Sequence, residues 1–226
     1  MTASHFGSYK CANESILDTH LKKRFEHEGS RSNWKIRHPS NVELYKNKKC
    51  EVCIEIGLAR GEFAATMLRE VPSITEYYGI DPFLGGYDSA DAMSSELAKF
   101  NNKENGTNDR WANTLLYQLR SYECKFRLYK GFSHEISANF RNESIDCLFI
   151  DGDHTYSGVK RDLQHYIPLM KSNGLVVFDD YNFVGVKKAL DELTTLTHLK
   201  LISLNSYNQY YIIIPQLGGT SLKLPA

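Results

Sequence analysis

Short apolar runs alternate with amphipathic segments along most of this chain, from about residue 50 to residue 214. Apolar runs bounded by polar residues predict buried strands, and apolar positions spaced by three and four residues predict helices. Strands are predicted at residues 50–56, 76–81, 125–129, 145–151, 174–180, 199–204 and 209–214. Helices are predicted between them, at residues 61–71, 108–122, 134–140, 157–170 and 184–196.

This alternation predicts an α/β fold built on a doubly wound, mostly parallel, seven-stranded sheet. The last two strands are separated by N-S-Y-N, which predicts a C-terminal antiparallel hairpin. Residues 1–48 are polar and poorly periodic, and they are predicted to form a helical or irregular N-terminal arm with one amphipathic helix around residues 17–25. Residues 49–226 form the predicted main domain, in which residues 83–107 interrupt the alternation as a lid or an insertion.

Composition narrows the function classes. The chain has 226 residues, 42% of them hydrophobic and 24% charged, which fits one globular domain. Lys plus Arg and Asp plus Glu both number 27, so no net charge favours nucleic acid or an anionic membrane. No apolar run approaches the ~20 residues of a membrane span. We therefore expect a small-molecule partner, and a homo-oligomer is compatible with the sequence.

The five cysteines show no disulfide pattern, and no signal peptide opens the chain, so a cytoplasmic location is predicted. Cys50-x-x-Cys53 is the spacing of a redox pair, but it falls at the start of a predicted strand. A strand cysteine that points into the core behaves as a small hydrophobe, and this interpretation is favoured over the redox one.

Two predicted strands end in carboxylates. The run S-I-D-C-L-F-I-D-G-D-H ends in Asp151 and Asp153, and N-G-L-V-V-F-D-D ends in Asp179 and Asp180. His154 follows the first pair directly. Because open α/β sheets bind ligands at the carboxyl ends of their strands, we expect these side chains to meet at one site. The sequence therefore predicts a metal site next to a general base.

Carboxylate oxygens are the ligands that Mg²⁺ prefers, and four carboxylates crowded together without a cation would repel one another. A structural explanation exists for some of them. Asp153 or Thr155 could cap the following helix, Asp180 could serve a turn, and His154 could merely orient Asp151.

A glycine-containing turn, E-I-G-L-A-R-G, joins the first strand to its helix. Glycines there allow close approach of a ligand, and the helix N-terminus adds free N–H groups. The G-x-x-x-G spacing of Gly57 and Gly61, preceded by Glu55, favours S-adenosylmethionine over a dinucleotide. Asp81 ends the second strand, where a carboxylate can accept both ribose hydroxyls, although Asp-Pro is also a common strand stop.

These motifs together resemble the class I S-adenosylmethionine-dependent methyltransferases. More narrowly, I-D-G-D-H-T-Y followed by F-D-D-Y is similar to the metal-dependent O-methyltransferases of the catechol, macrocin and novobiocin types. The resemblance covers roughly residues 50–214. It implies a divalent cation such as Mg²⁺ held by Asp151, Asp179 and Asp180, with His154 as the catalytic base. The novobiocin-type pattern would place the base at Asp153 instead.

The same resemblance implies a cofactor site. Gly57 and Gly61 would contact the methionine end, and Asp81 the ribose. Ser133 and His134, in G-F-S-H-E-I, would contact adenine. The full predicted cofactor set is Glu55, Gly57, Gly61, Asp81, Ser133, His134 and Asp151.

The predicted function is thus O-methylation of a small-molecule hydroxyl, on a sugar or a phenol. Two alternatives remain open: a non-catalytic S-adenosylmethionine-binding protein and a nicotinamide-dependent oxidoreductase. The glycine spacing disfavours the oxidoreductase, which would also leave the carboxylate cluster without a role.

Overall fold

The computed structural model describes residues 34–86, 88–90 and 109–216. Within those residues, strands form a single seven-stranded sheet with the order β3-β2-β1-β4-β5-β7-β6. The strands are β1 (Val52–Ile56), β2 (Glu76–Asp81), β3 (Phe126–Lys130), β4 (Ile145–Ile150), β5 (Met170–Phe178), β6 (Ile202–Ser203) and β7 (Tyr210–Ile213). Strands β1 to β5 pair in parallel, and β7 pairs antiparallel with β5 and β6. The predicted sheet and its C-terminal hairpin are confirmed.

Helices cover both faces of this sheet. They are α1 (Trp34–Lys48), α2 (Glu62–Glu70), α3 (Asp109–Leu119), α4 (Ser133–Ile136), α5 (Tyr156–Tyr166) and α6 (Val184–Thr197). On one face the buried apolar residues include Leu163 of α5 and Leu190 of α6. On the other they include Tyr45 of α1, Met67 of α2 and Leu115 of α3. Two apolar layers on one sheet make the doubly wound architecture that the strand–helix alternation predicts.

Two predicted boundaries are wrong around Pro168. The helix predicted at residues 157–170 ends at Tyr166, and a 3₁₀ turn follows at Ile167–Leu169. Proline lacks an amide hydrogen, so Pro168 cannot donate the next helical hydrogen bond, and the helix stops early. Strand β5 then begins at Met170 rather than at residue 174.

The helix α1 belongs to the segment predicted as an N-terminal arm. Its Tyr45 side chain is 1% exposed and lies in the apolar layer with α2 and α3. The part of the arm that carries the predicted amphipathic helix at residues 17–25, and most of the predicted lid at residues 83–107, lie outside the described residues.

The cysteines fit the structural interpretation rather than the redox one. Cys50, Cys53 and Cys147 are buried, and none forms a disulfide. Burial raises the pKa of the Cys53 and Cys147 thiols, which opposes the thiolate form that redox chemistry needs. As for membranes, none of the helices in the described ranges is long and apolar enough to cross one.

The strand order predicts where a ligand-binding crevice lies, at the carboxyl ends of the central strands. Strand β1 lies between β2 and β4, with α2 and α5 following β1 and β4 on opposite faces of the sheet. The chain therefore leaves the sheet in opposite directions at this point, which is where doubly wound folds bind their ligands.

Candidate active site and cofactor pocket

The glycine turn after β1 packs directly on the end of β4. Gly57 has φ +88°, and a Cβ atom there would lie 2.0 Å from the carbonyl oxygen of Asp151. The backbone joins the same two ends, since the amide of Asp151 donates to the carbonyl of Ile56 at 2.9 Å. Gly57 is therefore required both by its left-handed backbone and by close contact. Through this contact the glycine turn and the carboxylate-bearing strand end form one rigid unit.

Asp81 holds the other side of the turn. Its Oδ2 accepts hydrogen bonds from the amides of Leu58 and Ala59, at 2.8 and 2.9 Å. Its Oδ1 accepts from the amide of Phe83 at 2.6 Å. Burial raises the pKa of Asp81, and these three bonds oppose that rise. The carboxylate thus fixes the turn at the end of β2, and its predicted contact with ribose stays a prediction.

Glu55 lies beneath the turn. It is 2% exposed, and its Oε2 accepts a hydrogen bond from the Tyr77 hydroxyl at 2.6 Å. Burial raises the pKa of Glu55 well above its usual value, and the bond from Tyr77 only partly opposes this. The side chain of Glu55 therefore packs inside the fold against Tyr77. The direct contact with the cofactor that the sequence predicts for Glu55 stays a prediction.

A pocket that is open to solvent lies beside this turn. It lies between the ends of β1, β2 and β4 and the helices α4 and α5. Its walls are formed by Ile56, Gly57, Ile80, Pro82, Phe132, Ser133, Gly152, Asp153, Arg161 and Asp162. Two members of the predicted cofactor set, Gly57 and Ser133, line it.

Asp162 is a buried acid in the wall of this pocket. It is 3% exposed and accepts a hydrogen bond from the hydroxyl of Ser133. Burial raises its pKa to about 7, although the bond from Ser133 and the charge of Arg161 oppose the rise. The pair ties α5 to α4, and the hydroxyl of Tyr166 reinforces the tie by donating to the Ser133 carbonyl at 2.7 Å.

We expect Asp162→Asn to change how stability depends on pH. A carboxyl whose pKa is raised on folding binds more protons in the folded state, so stability falls as pH rises from about 4 to about 7. The variant lacks this loss, which amounts to at most about 1.4 kcal/mol per pH unit. Urea unfolding of both proteins from acid to neutral pH measures it. The unfolding free energy of the variant minus that of the unaltered protein should grow as pH rises. A difference that is constant over this range would contradict the raised pKa of Asp162.

The second cluster lies on the far side of Asp151. A carboxylate oxygen of Asp151, a ring nitrogen of His154 and a carboxylate oxygen of Asp180 all lie within 4.8 Å of one another. His154 Nε2 is 3.6 Å from Asp151 Oδ1 and 3.3 Å from Asp180 Oδ2. That nitrogen is buried and makes no hydrogen bond of good geometry. The structure therefore brings together three of the predicted site residues.

His154 is held from two sides. Its Nδ1 lies 2.6 Å from Asp88 Oδ2, and its ring stacks on Phe183 with 4.6 Å between centroids. Burial lowers the pKa of His154, but the nearby carboxylates of Asp151, Asp180 and Asp88 outweigh it and raise the pKa to about 11. Two of those carboxylates, Asp151 and Asp180, are the ones a cation would occupy, and a cation's charge opposes a protonated imidazole beside it.

Asp179 and Asp153 lie outside this cluster. Asp179 is 5% exposed, and it accepts from the Asp180 amide at 2.7 Å and from Gln209 Nε2 at 3.1 Å. Asp153 accepts from the amide of Thr155 at 2.9 Å, just before α5 begins. The helix-cap interpretation of this segment is supported, because the hydroxyl of Thr155 accepts from the Gly158 amide at 3.1 Å.

The residues present fit a divalent cation. Asp151 and Asp180 supply carboxylate oxygens, and the buried Nε2 of His154 faces the same space without a good hydrogen bond. A buried polar atom normally has a partner, so its lack of one is consistent with a ligand at this point. The third predicted metal ligand, Asp179, is not part of this group in the structure.

Comparison with known proteins assigns the family. The sequence profile described as a methyltransferase domain matches residues 54–181, which is more than half of the chain. The chain belongs to the methyltransferase domain family. This confirms the family predicted from the motifs, and the matched range runs from β1 to the residue after Asp180.

Individual relatives of this methyltransferase-domain chain are distant. It is 30% identical over 129 residues to the uncharacterized protein R132 of Acanthamoeba polyphaga mimivirus, covering 57% of this chain and about half (50%) of that relative. The O-methyltransferase NovP has a TM-score of 0.58 at 18% identity, covering 78% of this chain and 80% of its own. TomG, an O-methyltransferase of Streptomyces achromogenes solved with SAM, has a TM-score of 0.57 at 13% identity, covering 89% and 92%. Both structures share its fold.

Sequence reasoning missed two acids of this methyltransferase domain. Asp162 occupies the buried side of α5 together with Val159, Leu163 and Tyr166. A charged residue at an apolar helix position is a signal that the sequence does contain. Asp88 gave no signal, because it lies in the segment that matches no motif, 66 residues before its partner His154.

Proposed function

We propose that this protein is an S-adenosylmethionine-dependent O-methyltransferase that uses a divalent cation and acts on a small-molecule hydroxyl. One observation carries the proposal. Four consecutive residues after β4 serve two adjoining sites: Gly152 and Asp153 line the pocket, and Asp151 and His154 belong to the carboxylate cluster. A methyl donor in the pocket would therefore lie next to an acceptor at the cluster, as direct transfer requires.

The cofactor would occupy the pocket beside the glycine turn. The α2 N-terminus begins there at Gly61, which has a left-handed backbone, and Asp81 fixes the intervening amides. Ser133 and Phe132 line the opposite wall, where the sequence predicts adenine. This arrangement supports the predicted roles of Gly57, Gly61 and Ser133. His134, whose Nδ1 is buried without a hydrogen bond, is compatible with an adenine contact.

The acceptor hydroxyl would bind at the cluster. A cation held there by Asp151 and Asp180, with Mg²⁺ the predicted ion, would lower the pKa of that hydroxyl. His154 Nε2 takes the hydroxyl proton as the oxygen attacks the sulfonium methyl. The new O–C bond forms as the S–C bond breaks, and S-adenosylhomocysteine leaves. Phe183, stacked on the imidazole, shields it from water on one side.

Cofactor binding gives the first test. Calorimetry should show S-adenosylmethionine binding and no binding of NAD, since the spacing of the glycine turn suits the former. Methyl transfer to a panel of phenols and sugars then separates an enzyme from a non-catalytic binding protein. Binding of NAD without S-adenosylmethionine would contradict the proposal, as would cofactor binding without transfer to any hydroxyl. The cytoplasmic location stays a prediction.

A further inference from the structure

We propose that Asp88 is a positioning residue, which holds the imidazole of His154 so that Nε2 faces Asp151 and Asp180. The inference about the contact stands on the structure, and its kinetic consequence rests on the proposed function. Neither the sequence motifs nor the family match includes a role for Asp88.

A single carboxylate oxygen makes two contacts with the same histidine. Asp88 Oδ2 accepts from the backbone amide of His154 at 3.0 Å and lies 2.6 Å from its Nδ1. The backbone bond fixes where the residue sits, and the ring bond fixes how its side chain turns. Asp88 is 2% exposed, so the contact is shielded from water. Both bonds involve a charged acceptor, which makes them stronger than bonds between neutral groups.

The second oxygen of Asp88 fixes the acid itself. Oδ1 accepts from the amide of Ala90 at 2.8 Å. Burial raises the pKa of Asp88, but the bonds from His154 and Ala90 outweigh it, so the pKa lies below its usual value. The carboxylate is thus ionised and held at both of its oxygens.

The consequence for His154 follows from imidazole chemistry. A neutral imidazole carries one proton, and a carboxylate at Nδ1 keeps that proton on Nδ1. With a cation at Asp151 and Asp180, Nε2 would present its lone pair to the cluster, where it lies 3.3 Å from Asp180 Oδ2. Stacking on Phe183 sets the plane of the ring but does not distinguish its two edges. Asp88 makes that distinction, in the way that carboxylates orient histidines in metal sites.

Nuclear magnetic resonance tests the contact in the unaltered protein. With ¹⁵N-labelled histidine and saturating Mg²⁺, His154 should show a slowly exchanging Nδ1–H signal, assigned by its loss in His154→Gln. Asp88→Ala should abolish that signal, and Asp88→Asn should shift it. An Nε2–H signal in place of Nδ1–H in the unaltered protein would overturn the proposal without any variant.

Kinetics test the consequence. Asp88→Asn should lower kcat by about 10- to 100-fold, the usual effect of losing such an outer partner, while the KM for the acceptor stays unchanged. Asp146→Asn is the matched control. Asp146 also accepts from a backbone amide, that of Val52 at 2.9 Å, and pairs with Lys171, but it lies at the start of β4, at the opposite end of the strand from His154. The control should keep the native kcat.

The outcomes separate two claims. Native kcat and an unchanged Nδ1–H signal in both Asp88 variants would overturn the positioning role. A rise in KM with kcat unchanged would also overturn it, because such a change indicates general disruption of binding. An Asp88-dependent Nδ1–H signal in a protein that transfers no methyl group would support the positioning role and contradict the proposed function.

Discussion

Asp180→Asn is expected to lower cation-dependent methyl transfer by about three orders of magnitude, because several kcal/mol of transition-state charge stabilisation would be lost. Asp180 lies in the cluster with Asp151 and His154, on the loop that follows β5. Asparagine keeps the size of the side chain and one oxygen but removes the charge. The loss should persist at saturating acceptor, since the interaction is needed in the transition state.

Asparagine is also the correct replacement for the backbone. Asp180 has φ +53°, a left-handed conformation that asparagine adopts more readily than alanine. Asp180→Ala would combine the loss of charge with backbone strain, and its result would be ambiguous. Thermal unfolding of Asp180→Asn should therefore remain close to that of the unaltered protein.

Three measurements check this prediction. Mn²⁺ binding, followed by electron paramagnetic resonance, should weaken in Asp180→Asn, and EDTA should abolish transfer in the unaltered protein. Asp179→Asn is the informative comparison, because the partners found for Asp179 are the Asp180 amide and Gln209. It should weaken Mn²⁺ binding less than Asp180→Asn does. Transfer that survives both EDTA and Asp180→Asn would contradict the cation site.

The fold was predictable because it depends on local periodicity. Each strand of the parallel sheet is a short apolar run, and helices α2, α3, α5 and α6 each show an apolar side. The sequence alone therefore predicted a mostly parallel, seven-stranded sheet with a C-terminal hairpin. The boundary errors cluster where a single residue overrides the pattern, as Pro168 does after α5. The residues that end strands were also predictable, and with them the meeting of Asp151, His154 and Asp180.

The remainder of the site depends on contacts that no local pattern encodes. The side chains of adjacent residues in an extended chain point in different directions. The neighbours Asp179 and Asp180 therefore do not both enter the same cluster. In the structure, Asp179 accepts a hydrogen bond from Gln209, 30 residues further along the chain, whereas the carboxylate of Asp180 lies next to His154. Asp88 likewise meets His154 from 66 residues earlier in the chain. Such long-range pairs require the folded chain.

His154→Gln is expected to lower kcat by about 10² to 10⁴, the usual contribution of a general base. Affinity for S-adenosylmethionine should be unchanged, because His154 is not among the residues that line the pocket. The matched control is His38→Gln. His38 is also buried, lies 3.1 Å from Thr66 through Nδ1, and packs its ring against Phe63. It belongs to α1, so its loss should reduce stability and leave kcat unchanged.

Asp153→Asn decides between the two predicted bases. Asp153 lies two residues before the N-cap of α5, accepts from the Thr155 amide and lies 3.8 Å from Arg161. A Cβ on Gly158 would lie 2.2 Å from its carboxyl carbon, so the helix packs tightly against it. Asparagine keeps an oxygen that can accept from Thr155, so we expect a loss of less than about 1 kcal/mol in unfolding free energy and little change in kcat. Single-turnover methyl transfer measures both variants. Near-normal turnover in His154→Gln with an inactive, folded Asp153→Asn would assign the base to Asp153, and the proton would then leave on the pocket side of the strand end.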